Sequence, residues 1–227
     1  MQHVAVLQEL KNPRRLEDEA YERLRSALRS GAFAPAERLS ADVLSKQLGV
    51  SRMPVVQALR RLASEGFVTM EAHKPVRVAD PTAAEIRERY LVIMALERVC
   101  VREALVRDPE GVIRLLQERV AEGSDDLGSP LEDDERDRAF HEVIWHASGL
   151  LSVAGMLKTL WDHGGYYRSL LFAHGEYRES RLEEHRAIVA AAEARDFDAL
   201  IARLEEHRLR GMGRMLAIVG KRGDDVG

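Results

Sequence analysis

Cysteine, aromatic residues and long apolar runs are all scarce in this chain. Of 227 residues a single one, Cys100, is cysteine, so no disulfide can close within the chain and no multi-cysteine metal site can form. Phe, Trp and Tyr together make up 5%, a composition that favours helices over sheets. No stretch approaches the ~20 apolar residues of a membrane span, and the first residues lack the apolar core of a signal peptide. A cytoplasmic protein without a membrane partner is therefore expected. Basic charge is not in excess either: the formal net charge is -4, which taken alone argues against a nucleic-acid partner.

The charge is unevenly placed, however. Residues 1 to 80 hold 13 Lys/Arg against 10 Asp/Glu, whereas residues 81 to 227 hold 21 against 28. Only the first part has the sign that suits phosphates. At 45% hydrophobic and 32% charged the chain is long enough for two ordinary domains. Asp80, Pro81 and Thr82 mark the boundary: Pro81 blocks continuation of a strand, and Thr82 with Glu85 has the spacing of a helix capping box. The expected domains are residues 1–80 and 84–219, the first opening on a lead over 1–13 that carries no strong pattern.

The stretch from Leu39 to Met70 is the most informative. Ser40 is placed to cap a short helix with Val43, Leu44 and Leu48 as its apolar side and Gly49 as its left-handed stop. Ser51 caps a second helix, which tolerates Pro54 in its first turn and directs Val55, Ala58, Leu59 and Leu62 inward until Gly66. Upstream, Leu16, Ala20, Leu24, Ala27 and Leu28 form another helical stripe that stops at Gly31. Phe67 to Met70 reads as a strand, Ala72 to Pro75 as a turn, and Val76 to Val78 as a return strand. Three helices and a hairpin wing make a winged helix-turn-helix, whose recognition helix enters the DNA major groove N-terminus first; a small helical bundle without a ligand is the competing reading. Ser51, Arg52, Met53, Val56, Gln57 and Arg60 lie off the apolar stripe and are the candidate groove contacts, with Lys74 on the wing. Arg52 suits guanine or a phosphate, Gln57 suits adenine, and Arg60 and Arg61, farther back, suit phosphates.

The ordered residues Leu48, Gly49, Val50, Ser51, Arg52, Met53, Pro54 and Val55, then Ala58, Leu59 and Leu62, then Glu65, Gly66, Phe67 and Val68 resemble the winged-helix domain of the GntR family of bacterial transcription regulators. Two positions depart from the family. Most members follow the Pro-Val pair with Arg-Glu, the Arg being a base contact, where this chain has Val56 and Gln57. The wing turn, Ala72 to Pro75, also lacks the glycine common in relatives. The resemblance implies a homodimeric regulator, in the first instance a repressor, on double-stranded DNA with an inverted-repeat operator whose sequence cannot be carried over.

Beyond Thr82 the spacing predicts helices: a long one through Ile86, Tyr90, Glu97, Val101 and Leu105 to Asp108, then Val112 to Glu122, Leu131 to Ala147, Leu150 to about His174 with a break at Gly164 and Gly165, Ser180 to Ala194, and Asp196 to about Val219. The fold class is thus mainly α, an N-terminal winged helix-turn-helix followed by an all-α helical bundle. Cys100, among Leu96, Val99 and Val101, reads as a buried apolar thiol. Three histidines stand where leucine is expected. His185 falls between Leu182 and Val189, His207 shares a face with Leu200, Leu204 and Gly211, and His141 lies beside Phe140 and Ile144 with Asp137 one turn earlier. Neutral imidazoles with a carboxylate form a common divalent-ion set. A lone histidine on an apolar face is more often a hydrogen-bonded core residue, but burying four such groups unpaired would be costly, and both readings stay open on the pattern alone.

Residues 84 to 219 resemble the FCD domain, the ligand-binding half of the FadR subfamily of GntR regulators, in which an Asp-x-x-x-His pair and two later histidines bind a divalent metal. Asp137, Phe140 and His141, then Glu184, His185 and Ile188, and then His207 carry the likeness. It implies a metal on Asp137, His141, His185 and His207, with Zn the first choice and Ni, Mn or Fe as alternatives. It also implies a small-molecule effector of the organic-acid kind that modulates operator binding. The Arg that relatives often place on the first helix of this domain is Ile93 here, and the Asn that follows Ser-Gly after the first metal histidine is Leu150. A less acidic effector or other contact groups are therefore expected, with Arg89, His163, Tyr166, Tyr167 and Arg168 as candidates. An enzyme is disfavoured because no further carboxylate stands as a general base beside the four ligands. A regulator answering to the metal itself, without an organic effector, is the alternative.

Overall fold

The structure is a computed structural model describing residues 14–124 and 128–224; the N-terminal lead and the centre of the loop expected after Glu122 lie outside the described residues. The chain folds as two compact units. The first contains α1 (Arg14–Arg29), β1 (Arg38–Leu39), α2 (Ala41–Leu48), α3 (Arg52–Ser64), β2 (Val68–Thr69) and β3 (Val76–Val78). Leu24, Leu44, Val55, Leu59, Leu62 and Phe67 close its core. Gly49 ends α2 at φ 67, a conformation that costs an L-residue with a Cβ but not glycine. There its N–H reaches Lys46 O at 3.3 Å while Val50 N–H reaches Ser45 O at 3.1 Å, so the last carbonyls of α2 are satisfied and the chain turns directly into α3.

Four details differ from the sequence reading. Val43, expected inside, is 53% exposed, because an eight-residue helix against one neighbour needs only a narrow apolar strip. Ser40 and Ser51 sit at the N-cap positions with extended backbone but make no side-chain capping bond. The first wing strand is confined to Val68 and Thr69, without Phe67 or Met70. The wing is also not a two-stranded hairpin: β1 joins it antiparallel, giving the order β1-β3-β2 with Leu39 opposite Val76 and Val68 opposite Val78. Two residues are too few to display an alternation, so β1 left no period to read.

The second unit contains α4 (Ala83–Arg107), α5 (Pro109–Ser124), α6 (Pro130–Ala147), α7 (Leu151–Asp162), α8 (Gly165–Phe172), α9 (Gly175–Glu193) and α10 (Phe197–Asp224). At the start of α4 the capping box forms in both directions: Glu85 N–H donates to Thr82 Oγ1 at 3.2 Å, and Thr82 N–H donates to Glu85 Oε2 at 2.7 Å. Ser129 and Glu132 do the same for α6, whose neighbours are α4, α5, α7 and α8. The expected break falls between α7 and α8, beside Gly164. Helix α9 begins five residues before the expected Ser180; in that added turn only Tyr177 is buried, and a single apolar residue makes no stripe. Cys100 is fully buried, and burial pushes its thiol pKa up, as expected of an inert core thiol. Among the described residues no helix is long and apolar enough to cross a membrane.

Candidate metal centre and nucleic-acid interface

Asp137 and His141 project from successive turns of α6, His185 from α9 and His207 from α10, and all four are buried. Their ligand atoms lie within 4.8 Å of one another. Nε2 of His141 and Nε2 of His207 are 3.0 Å apart. Asp137 Oδ1 stands 3.1 Å from His185 Nε2 and 4.0 Å from each of the other two Nε2 atoms. Three ε-nitrogens and one carboxylate oxygen from three helices thus face one point. Nitrogens bound at ~2.0–2.1 Å to one Zn ion stand ~3 Å apart when adjacent, which the closest pairs here already match.

The donor chemistry fits as well. His185 Nε2 makes no hydrogen bond, since the nearby Asp137 oxygen is within reach but out of line. His141 Nδ1 also lacks one, with Glu97 Oε1 3.5 Å away. A buried ring nitrogen without a partner is costly, and an ion on the converging side gives one to His185 Nε2, whereas His141 Nδ1 points away from it toward Glu97. One outer carboxylate reaches a ligand ring from behind, Glu184 Oε2 lying 2.8 Å from His207 Nδ1, whereas Glu97 accepts from Trp145 Nε1 at 2.9 Å and from Arg208 Nε at 2.8 Å. Burial pushes the pKa of His141, His185 and His207 below the usual histidine range, Arg208 and Arg181 adding to the effect. Burial alone would raise Asp137, but Arg181 and the surrounding imidazoles hold its carboxyl well below the usual carboxylate range. Neutral imidazoles and an ionised carboxylate are the protonation states a metal requires.

Two cavities adjoin the cluster. One, of about 20 Å³, is lined by Arg89, Tyr90, Trp161, Arg168, His207 and Arg208 among others, and has room for about one water. The other, of about 70 Å³, touches Asp133, Asp137, Arg178 and His185. Of the residues singled out for an effector, Arg89, Tyr167 and Arg168 line the first cavity, whereas His163 and Tyr166 line neither. Ile93 lines it too, and Arg89, one turn earlier on α4, brings a guanidinium to the same cavity. Arg168 is committed to Asp134 and Arg208 to Glu97; Arg89 makes no hydrogen bond or ion pair among the described residues. Burial and the adjacent Arg168 pull its pKa down, the mark of a cation short of an anion. The sequence reading missed Arg181 and Arg208. Their only signal was position, four residues before His185 and one after His207, in a chain rich in surface arginine.

In the first unit, Ser51, Arg52 and Met53 are exposed at the start of α3, Val56 and Gln57 are half-buried, Arg60 is exposed, and Lys74 is exposed between β2 and β3. Arg52 pairs with Asp42 at 2.9 Å and Lys74 with Glu71 at 2.6 Å. Such exposed pairs are worth little and yield readily to a phosphate or base. Arg61 is otherwise engaged: its guanidinium lies 3.6 Å over the Tyr21 ring and reaches Glu65 at 3.3 Å and Asp18 at 3.4 Å, bracing α3 on α1 instead of serving a phosphate. Burial and the Glu65 hydrogen bond push the Tyr21 hydroxyl up to about 12. Unforeseen in the sequence, Arg38 and Arg77 stand directly opposite each other on β1 and β3, both exposed. Like charges so placed repel, and an anion facing the sheet relieves them.

The buried histidines set a pH dependence for the metal-free protein. Because their folded pKa values lie below the ordinary 6.5, the unfolded chain takes up protons that the native state refuses as pH falls below about 6.5. Three such groups give a stability loss approaching about 4 kcal/mol per pH unit. Asp137 acts oppositely and lower: its contribution is present above the unfolded value near ~3.9 and is lost only as pH drops through the depressed folded value. Urea unfolding of chelator-treated protein from pH 7.5 to 5.5, followed by the fluorescence of Trp145 and Trp161, both in this unit, should show the loss. A flat profile would mean that the histidines are solvated.

Comparison with known proteins identifies both domains. Residues 16–78 match the family described as bacterial regulatory proteins, gntR family, and residues 88–210 match the FCD domain. The HTH-type transcriptional regulator YdhC of Bacillus subtilis is 25% identical over 182 residues, covering 79% of this chain and 81% of its own. The HTH-type transcriptional repressor GlaR of Escherichia coli is 26% identical over 203 residues, covering 84% and 91%. Among solved structures, E. coli McbR/YncC superposes with a TM-score of 0.70 at 24% identity over 91% of this chain and 98% of that one, a likeness of fold. The chain belongs to the GntR family of bacterial regulators: it is a DNA-binding transcription regulator with a C-terminal FCD effector-binding domain.

Proposed function

We propose that this regulator is a homodimeric repressor whose helical domain holds a divalent ion on Asp137, His141, His185 and His207, and that an organic anion completes the site and alters operator binding. The convergence of three Nε2 atoms and one carboxylate oxygen in a buried site carries the metal reading. Zn is the first choice for an imidazole-rich set, with Ni, Mn or Fe as alternatives. A bound ion supplies an electropositive position with exchangeable coordination. The chain's own residues do the rest: Glu184 orients the His207 ring, and Arg89 offers the anion an unpaired guanidinium. Of the two expectations raised by Ile93, an acidic effector held by other groups is favoured over a less acidic one. One observation favours the alternative of a regulator that answers to metal alone, namely the water-sized cavity, and DNA release that tracks metal occupancy without any organic acid would select it.

The dimer is supported by α4. Val92, Val99 and Val106 recur every seven residues on its surface, each exposed, with Leu91 alongside, an apolar stripe of the kind that pairs with its own copy. The repressor sense follows the likeness to GlaR, an HTH-type transcriptional repressor. On DNA, the start of α3 reads the groove while Arg60, Lys74, Arg38 and Arg77 meet phosphates, and two-fold symmetry calls for an inverted repeat.

Three outcomes test this reading. Metal at ~100 times its dissociation constant should stabilise the helical domain by ~2.7 kcal/mol; His141→Ala, His185→Ala and His207→Ala should each remove most of that gain and His163→Ala none, by differential scanning calorimetry. Full metal content in the His185 and His207 variants would sink the site. Arg52→Ala should cost ~1–3 kcal/mol on the operator and little on random DNA if it reads a base, and equal losses on both would make it a phosphate contact. Val99→Asp should turn the dimer into a monomer in light scattering; an unchanged mass would move the interface off α4.

A further inference from the structure

Arg181 on α9 occupies the place that a metal at this cluster must contest. Its Nη2 donates to both oxygens of Asp137, at 2.8 and 2.7 Å, and its Nη1 lies 2.8 Å from His207 Nδ1. A guanidinium is permanently cationic, so the chain already provides the positive charge that a buried carboxylate needs. Two further observations give this geometry meaning. The 20 Å³ cavity touches His207 and the 70 Å³ cavity touches Asp137 and His185, and the one residue common to both linings is Arg181. The side chain thus borders both cavities. In addition, His207 Nδ1 lies 2.8 Å from Arg181 Nη1 and also 2.8 Å from Glu184 Oε2. One ring nitrogen cannot accept from the first and donate to the second at once.

Resting on the metal reading above, we propose that Arg181 is an internal cation that excludes the divalent ion, and that metal binding displaces it and joins the two cavities into one ligand chamber. Two self-consistent arrangements follow, with no change in the number of protons. With Arg181 inward, His207 Nδ1 accepts from the guanidinium, its proton sits on Nε2, and that N–H donates to His141 Nε2 across 3.0 Å. With Arg181 outward, His207 Nδ1–H donates to Glu184, and the Nε2 lone pairs of His141 and His207 face each other, an arrangement that is repulsive unless a cation lies between them. The displaced guanidinium is not stranded, because Glu184 Oε2 is 3.4 Å from Nη1 and the Tyr177 ring lies 5.7 Å from the guanidinium carbon. A water-sized cavity next to a donor set is then the closed form of a larger site, and the arginine released from Asp137 becomes free to meet an anion.

The test measures Zn²⁺ and Ni²⁺ affinity of the full chain by competition with a chromophoric chelator, comparing wild type, Arg181→Met and Arg181→Lys. Removing the guanidinium while keeping the stem should tighten binding by about tenfold or more, with the lysine variant nearer wild type. Equal or weaker binding by Arg181→Met would overturn the exclusion role and leave the metal site standing. If wild type binds no metal but Arg181→Met does, in a manner lost on adding His185→Ala, the internal cation is supported and the metal reading of the wild type fails; no binding by either overturns both. Should Arg181→Met not fold, the ¹⁵N shifts of His207 in chelated wild type decide: a proton on Nε2 supports the inward arrangement, and a proton on Nδ1 overturns it.

Discussion

One ionised carboxylate buried on α6 sets the terms for the helical domain. Asp137 is almost fully excluded from water, and an isolated carboxylate there would be prohibitively costly. The three imidazoles cannot neutralise it, because their own burial keeps them uncharged. A cation is needed, and Arg181 is the one in contact. Helices α4, α6, α8, α9 and α10 supply the carboxylates and guanidiniums that keep this core electrically balanced.

That balance has a consequence for stability. Glu97 with Arg208 and Asp134 with Arg168 are buried pairs in the same unit as Asp137 with Arg181. Well-packed apolar side chains of similar volume usually serve stability as well or better, whereas breaking such a pair by removing one partner costs about 3–5 kcal/mol. Packing alone therefore does not account for them. They keep charge in the core around the cluster: Glu184 reaches the His207 ring, and the Arg168 and Arg208 guanidiniums line the cavity beside it.

Much of this was legible in the sequence, and the limits are physical. The Thr82 and Glu85 box, the Gly49 stop and the inward face of α3 follow local rules that do not depend on the rest of the chain, and they appear as expected. The cluster was legible because histidine at a leucine position breaks an otherwise regular stripe; that His141, His185 and His207 meet is a tertiary fact which the pattern could suggest and only packing could supply. Arg181, Arg208 and the Arg38–Arg77 pairing were illegible for the opposite reason. A buried arginine looks like a surface one until its carboxylate partner arrives from another helix, and β1 was too short to carry a period. Arg61 misled in the other direction, an exposed-looking basic residue claimed by Tyr21 and Glu65.

The two binding surfaces are thus built on opposite electrostatic terms. On the winged helix, Arg52 with Asp42 and Lys74 with Glu71 are exposed on both sides, so each is worth about 0–1 kcal/mol and is screened by salt. Exchanging such a partner for a phosphate is nearly free, which suits a surface that must bind and leave a polyanion. Around Asp137 the pairs are buried and screening hardly reaches them. A charge there changes partner only when another charge takes its place. The first surface therefore answers to ionic strength, whereas in the second one charge is exchanged only for another.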